Sequence, residues 1–163
     1  MPTAVQRYNQ FRGNWKLEFY IEGDSQTFKA GDPVIDSSDK CVIFAAADAD
    51  LTAAGGEVIG VAMRDGTNTT GITAKTLPVL VPMDKTAQML LASYAATATD
   101  AQHQDLTPNH LCVLRNVGGI PAASIATTSN PVLQLREKTP GWAATEQFTP
   151  NWWSFLAAEL VVK

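Results

Sequence analysis

The sequence predicts a mainly β fold, a single β-sandwich or β-barrel domain, and three observations support that class. Short runs rich in β-branched and aromatic residues recur along the chain. Clusters of Gly, Pro, Asn and Asp, which favour turns, separate these runs. No segment has a strong amphipathic helical period. Short strands spaced by turns are typical of a sandwich or a barrel, and the pattern does not decide between them.

The predicted strands are short and differ in their turn context. The clearest runs, in chain order, are WKLEFYI (15–21), PVI (33–35), CVIF (41–44), VIGVAM (58–63), LPVLVPM (77–83) and VLQLREK (132–138). Pro78 and Pro82 predict an edge strand or strand ends, because proline cannot donate a hydrogen bond to a neighbouring strand. Residues 110–125 predict a hairpin with its turn at 116–119.

Other segments have weaker patterns. ADADLTAAGGE (47–57) can hold at most a short helical turn. Residues 87–106 fit either a helix or a strand, and we expect a strand followed by a long loop. FTPNWWSFLAAELVVK (148–163) predicts an aromatic turn combined with a closing strand. No internal repeat of fixed period is visible, although the order of strand, AGD turn and strand recurs loosely.

The length of 163 residues predicts one domain with an extended amino-terminal arm, since two separate cores would each be marginal. Residues 1–23 predict an arm leading into the first strand, and residues 24–163 predict the β-rich domain. Residues 1–16 contain three basic residues and no acid, which leaves nine basic residues against 16 acidic ones in the rest. We therefore expect a basic arm on an acidic body.

The composition excludes several classes of function. A net charge of −4 argues against nucleic acid as a partner, because phosphate binding needs clustered Lys and Arg. No apolar run reaches the ~18 to 20 residues of a membrane span, so we expect no membrane. The start of the chain lacks the apolar core of a secretory signal, which predicts folding in a cytoplasm.

The residues that carry chemistry are few, so we expect no enzyme, no cofactor and no metal. Cys41 and Cys112 are far apart in sequence and predict reduced, packed thiols. His110 and Cys112 have an H-x-C spacing, but a zinc site would need further ligands such as His103 or Asp105. Nucleophile motifs and phosphate-binding glycine motifs are lacking. The many aspartates between residues 24 and 50 coincide with predicted turns, which Asp favours.

The tryptophans are the strongest remaining signal. All four, Trp15, Trp142, Trp152 and Trp153, lie in the first 16 or the last 22 residues. Large aromatic side chains often supply binding energy at protein interfaces. They are equally suited to plug the ends of a barrel, and a sugar-stacking platform is a third interpretation.

The order of these pieces resembles the small, β-rich decoration proteins of tailed-phage capsids. The matching stretches are SQTFKAGDPVI, VIGVAMRDGTNTTG followed by LPVLVPMD, and the late NPVLQLREK and LAAELVVK, within residues 25–163. In such proteins an AGD turn introduces the first hairpin and an IGVA strand follows it. The basic aromatic arm and the TPNWWSF segment depart from that group.

The resemblance implies a virion structural protein that binds the outer surface of the capsid and stabilises it. Its partners would be the major capsid protein and further copies of itself, most often as a trimer. It would be made in the host cytoplasm and located on the capsid exterior. A tail or head-fibre role and a carbohydrate-binding module are the alternatives.

The residues predicted to contact partners come from this sequence alone and lie at its two ends. They are Arg7, Tyr8, Phe11, Arg12 and Trp15 in the arm, and Trp142, Trp152, Trp153 and Phe155 near the carboxyl end.

Overall fold

The computed structural model describes residues 5–43, 58–94, 106–126, 128, 131–139 and 148–156, and these ranges contain strands and turns without a helix. The strands are β1 (Phe11–Arg12), β2 (Trp15–Ile21), β3 (Pro33–Ser37), β4 (Lys40–Ile43), β5 (Val58–Ala62), β6 (Lys75–Pro82), β7 (Gln88–Tyr94), β8 (Leu111–Val117), β9 (Ile120–Ser124), β10 (Leu133–Lys138) and β11 (Phe148–Phe155). The predicted mainly β class is confirmed.

Five strands of the carboxyl-terminal half close into a barrel, which we call the closed barrel. Strand β7 pairs with β11, β11 with β10, β10 with β8, and β8 with β9, all antiparallel. The ring closes because β9 also pairs in parallel with β7, where Ala92 lies opposite Ala122. Of the two architectures that the sequence left open, the barrel is therefore the one present in this half.

The amino-terminal half forms a second sheet with the order β2, β6, β5, β3, β4, which we call the first sheet. Its two end strands meet at one point, where Glu22 and Cys41 form an isolated parallel bridge. The N–H of Gly23 donates to the carbonyl of Cys41 at 2.8 Å. The first sheet is thus curled, with its end strands joined at a single place.

The two halves have the same strand topology. Strands β2 to β6 pair in the order in which β7 to β11 pair, and in each half the third strand approaches the first in parallel. Both hairpins turn through two residues with positive φ, Ser38 (53°) and Asp39 (65°) in one half, Gly118 (60°) and Gly119 (87°) in the other. Such turns match the twist of a hairpin. The chain therefore repeats one topology twice, although its sequence shows no repeat of fixed period.

The sheets share one hydrophobic core. Val58 and Val61 of β5 pack in the same cluster as Leu114, Leu135 and Trp153 of the closed barrel. A second apolar cluster packs within the first sheet. Its buried members are Phe28, Val34, Cys41, Ile59, Ala62, Leu77, Val79 and Val81. Because β5 contributes to both clusters, apolar burial holds the two halves together.

The segment predicted to be an arm lies against the body over its described part. Strand β1 pairs with β7, and the N–H of Leu90 donates to the carbonyl of Gln10 at 3.0 Å. The guanidinium of Arg7 contacts both halves: Nε donates to Asp32 Oδ1 at 2.6 Å and Nη2 to the carbonyl of Gly119 at 2.5 Å. Asp32 belongs to the AGD turn, so this turn is tied to the barrel hairpin through Arg7.

For the run that contains Pro78 and Pro82, the sequence predicted an edge strand or strand ends, and the edge strand is wrong. Strand β6 is internal, between β2 and β5, and is not an edge strand. Proline is tolerated there because Pro82 ends the strand, as the alternative of strand ends predicted. Pro78 lies beyond the last pair with β5, which joins Ala62 to Val79.

The aromatic turn that was predicted together with a closing strand for residues 148–163 is not found at residues 148–155. These residues form β11, which lies between β7 and β10 inside the closed barrel. Seven of the eight residues of β11 are buried, and pairing with β7 and β10, which are distant in sequence, decided the outcome. The prediction for residues 47–57 falls outside the described residues, and so does the part of the 148–163 segment beyond Leu156.

We expect Trp153→Ala to lower the free energy of unfolding by about 3 to 5 kcal/mol, because the indole is fully buried. Trp153→Phe should lose less, since the ring stays and Nε1 has no hydrogen-bond partner among the described residues. Urea denaturation measures both. Leu111→Ala, at a side chain 37% exposed, is the control and should have a small effect. Equal losses for all three variants would contradict a core role of Trp153.

Arg7→Ala should lower the free energy of unfolding by about 1 to 3 kcal/mol, because it leaves the buried Asp32 carboxylate without its cation. Lys29→Ala is the matched control, since it removes a cation from the exposed Lys29–Asp65 pair and should change stability very little. Thermal melting compares the two. A Lys29→Ala effect as large as that of Arg7→Ala would argue against the role of Arg7 as a tie.

Candidate functional site

The side chains of Arg12, Glu137 and Trp152, from both ends of the chain, meet at one place on the surface. Phe11 and Trp15 lie beside Arg12 and pack partly against the core, and we call these five residues the terminal cluster. They meet because β1 lies next to β7, and β7 lies next to β11. The guanidinium carbon of Arg12 lies 4.2 Å from the ring centroid of Trp152. Arg12 Nη2 also forms a 2.8 Å ion pair with Glu137 Oε2. Arg12 and Glu137 are 125 positions apart in sequence, so the terminal cluster joins the two ends of the chain.

The aromatic part of the terminal cluster joins the surface to the shared core. The rings of Phe11 and Trp15 are 5.5 Å apart in an edge-to-face arrangement, and both pack partly against the core. Trp15 Nε1 donates to the carbonyl of Arg12 at 2.8 Å. Gly13, between β1 and β2, has φ of 85°, and a Cβ there would lie 1.7 Å from the carbonyl oxygen of Thr86. Only glycine fits this turn, so the turn fixes the position of the cluster.

The chemistry of the terminal cluster is that of binding. A guanidinium over an indole face, with a carboxylate beside it, gives cation–π and charge-assisted contacts. Both Arg12 and Glu137 keep exposed surface, with 36% and 58% of their side chains accessible. Tryptophan and arginine are enriched among the residues that dominate protein interfaces.

The other predicted contact residues lie elsewhere. Arg7 is held by Asp32 and Gly119, as described above. Tyr8 packs against a small cluster formed by Ala92, Ala122 and Phe148. Trp153 and Phe155 are buried in the shared core, which is the barrel-plug alternative that the sequence left open. Trp142 lies outside the described residues.

An exposed apolar surface was missed by the sequence reasoning. Leu17 and Phe19 of β2 are 53% and 54% exposed. They lie opposite Leu80 and Pro78 of β6, which are half-buried. The signal was present in WKLEFYI, whose alternation places apolar residues on one face of the strand. That pattern predicts a buried face, and only the position of β2 at the end of its sheet leaves the face open.

Among the described residues, the two cysteines lie in different apolar clusters. Cys41 lies in the cluster of the first sheet and Cys112 in the shared core, and both thiols are free and buried, which confirms the predicted packed thiols. His110 Nε2 lies 2.8 Å from the carbonyl of Ile125. His103 and Asp105 lie outside the described residues. Over the ranges that the structure describes, no group of three His, Cys, Asp or Glu side chains could hold a metal ion.

The buried acid Glu22 ties a loop to the first sheet. Its carboxylate is fully buried and accepts hydrogen bonds from Arg64 Nη1 at 3.0 Å and from the N–H of Thr67 at 2.6 Å. Asp24 similarly accepts from the N–H of Gly71 at 3.0 Å. A buried carboxylate with these partners is satisfied, so its role is to fix the 64–71 loop.

One cavity of about 340 Å³ lies on the first sheet. It is lined by Tyr20, Ile21, Asp36, Asp39, Ile59 and Lys75. Burial, followed by the hydrogen bond to Glu18, raises the pKa of the Tyr20 hydroxyl, so the phenol stays protonated at neutral pH. The lining of this cavity thus combines the neutral phenol and two isoleucines with the side chains of Asp36, Asp39 and Lys75.

Over the described residues, the protein is an all-β structure built from one topology used twice. Comparison with protein-family models gave no match, and neither the curated proteins nor the solved structures gave a similar chain. Within the described ranges, no helix is long and apolar enough to cross a membrane.

Neither thiol should react with Ellman's reagent in the folded protein at pH 8, and both should react once urea unfolds it. The thiolate is the reactive form, and burial, followed by the nearby charge of Asp36, raises the pKa of Cys41 to about 12. Burial also raises the pKa of Cys112. Cys41→Ser and Cys112→Ser assign the signals, and fast reaction of either thiol in the native state would contradict the buried placement.

Proposed function

We propose that the protein is a virion structural component that binds the outer surface of a phage capsid and stabilises it. The order of the AGD, IGVA and LPVLVP stretches, which resembles that of capsid decoration proteins, provides the partner class. The terminal cluster, in which the guanidinium of Arg12 lies over the ring of Trp152, is the observation that supports specific contact residues. The contact with the major capsid protein is assigned to this cluster.

The character of the surface supports a protein partner. Only 17% of the residues are charged, below the ~25% of average globular proteins. Neutral surface costs little to remove from water when it docks on another protein. The nearby Phe11 and Trp15 anchor the cluster in the core, so little conformational entropy is lost when a partner binds it.

Shell stabilisation follows from copy number. A capsid presents the same surface many times, and a decorating chain that bridges neighbouring subunits adds one modest contact at each position. Association of the decorating chains with one another would strengthen each contact further. The proposal therefore requires only moderate affinity at a single site.

The alternatives have less support. A sugar-binding module needs an open indole face, but the guanidinium of Arg12 lies over Trp152 and Trp153 is buried. Trp15 is engaged with Phe11 and donates its N–H to the chain itself. A tail or head-fibre role would use the same type of surface and differs in the identity of the partner.

We expect Arg12→Ala and Trp152→Ala each to weaken binding to expanded shells that lack the protein by about 10-fold or more, because truncation of Trp and Arg anchors commonly costs at least about 2 kcal/mol. Co-sedimentation of labelled protein with the shells gives the affinity. Wild-type protein should also raise the melting temperature of the shells.

Lys29→Ala is the control for lost charge, because Lys29 lies in an exposed pair away from the terminal cluster. Thermal melting of each free variant checks that it is folded. No binding of the wild-type protein to shells would refute the decoration function. Binding that is unchanged in both cluster variants would keep the function and remove the terminal cluster from it.

A further inference from the structure

Strands β2 and β7 occupy the same position in the repeated topology, and their residues can be matched through the strands that close each half. Pro78 of β6 lies opposite Phe19, and Pro150 of β11 lies opposite Ala92. Two residues further along each closing strand, Leu80 lies opposite Leu17, and Trp152 lies opposite Leu90. Leu17 is therefore the counterpart of Leu90.

The edge of β7 at Leu90 carries an added strand. The N–H of Leu90 donates to the carbonyl of Gln10 at 3.0 Å, and β1 pairs with β7 immediately beside it. This position of the topology thus accepts strand addition within the chain itself.

The matching edge of β2 has no such strand among the described residues. Backbone groups of successive residues point to alternate edges of a strand. The carbonyl of Asn14 accepts from Met83 on the β6 side, whereas the N–H of Gly23 donates to Cys41 on the other side. Leu17 and Phe19 are separated from Gly23 by an even number of positions, so their backbone groups point to the same edge as those of Gly23. The N–H and carbonyl groups of Leu17 and Phe19 therefore face away from β6.

The open edge also exposes apolar side chains. Leu17 and Phe19 are both more than half exposed, and they flank the free backbone groups. Proteins normally protect such edges with charge, proline or a covering segment, because an open apolar edge recruits another strand. Leu17 is flanked by charges of opposite sign, Lys16 and Glu18. The edge therefore complements a strand that presents the same two charges in the reverse order.

We propose that the open edge of β2 pairs with β2 of a second copy of this chain, antiparallel and centred on Leu17. In this register Leu17 lies opposite Leu17 of the other copy, and Lys16 lies opposite the other copy's Glu18. The pairing occurs twice by symmetry, so both charges of each chain meet an opposite charge. Trp15 of each copy then lies opposite Phe19 of the other copy.

The charges needed for this register are already ordered in one chain. Lys16 Nζ lies 2.8 Å from Glu18 Oε1, and the Tyr20 hydroxyl donates to Glu18 Oε2 at 2.8 Å. The hydrogen bonds from Lys16 and then Tyr20 lower the pKa of Glu18, so the carboxylate is ionised at neutral pH. A shift of the register by one residue would place charges opposite apolar side chains, which disfavours other alignments.

Sedimentation equilibrium of the full chain tests the proposal through charge complementation. The wild-type protein should show a concentration-dependent mass that approaches twice the 17.5 kDa chain mass. Lys16→Glu alone and Glu18→Lys alone should each weaken association by about 10-fold or more, because like charges then face each other. An equal mixture of the two single variants should restore it, and so should the double variant that exchanges both charges.

Lys29→Glu is the matched control, since it reverses a charge on an exposed pair away from β2 and should leave the dimer unchanged. Circular dichroism confirms that each variant is folded. A wild-type protein that stays monomeric up to hundreds of micromolar would overturn the proposal. A trimer that is indifferent to both single variants, or a mixture that fails to restore association, would also overturn it. None of these outcomes depends on binding to shells.

Discussion

Strand β7 is the element on which the structure depends, because it is the strand that pairs with three others. Its pairing with β11 begins the closed barrel and its parallel pairing with β9 completes it. Its remaining edge holds β1, which carries the amino-terminal segment onto the body. Main-chain hydrogen bonds are satisfied on both sides of β7, and its side chains Met89 and Leu91 enter the shared core. Barrel, segment and core are thus linked through seven residues.

The repeated topology has different consequences in the two halves. In the closed barrel, β9 pairs with β7 over three residues and β1 covers what remains of that edge. In the first sheet, the matching contact is the single bridge between Glu22 and Cys41. Among the described residues, the first sheet therefore keeps an open edge at β2 with Leu17 and Phe19 exposed, whereas the matching edge of the closed barrel is paired. The exposed apolar surface thus arises where the repeated topology is incomplete, and not from an added element.

Polar side chains set how the halves and loops are joined. Arg7 joins the AGD turn to the barrel hairpin, and Glu22 holds the loop that begins at Arg64. Sequence reasoning identified Arg7 but expected it to reach a partner, because charge on a presumed arm gives no hint of an acceptor 25 residues away. For Arg12 and Trp152, it identified both residues but not their contact. That contact exists only because β7 lies between their strands.

The sequence by itself determined the local structure. Alternation and turn residues placed β2, β3, β5 and β10, and the pair Gly118 and Gly119 placed a hairpin, since these signals act over a few residues. Only the tertiary structure decided that β11 is a strand, that the second half closes, and that one topology is used twice. It also decided that Trp153 is fully buried while its neighbour Trp152 is only half-buried, beneath Arg12. Each of these outcomes depends on pairing between strands distant in the chain, and local propensity carries no information about such partners.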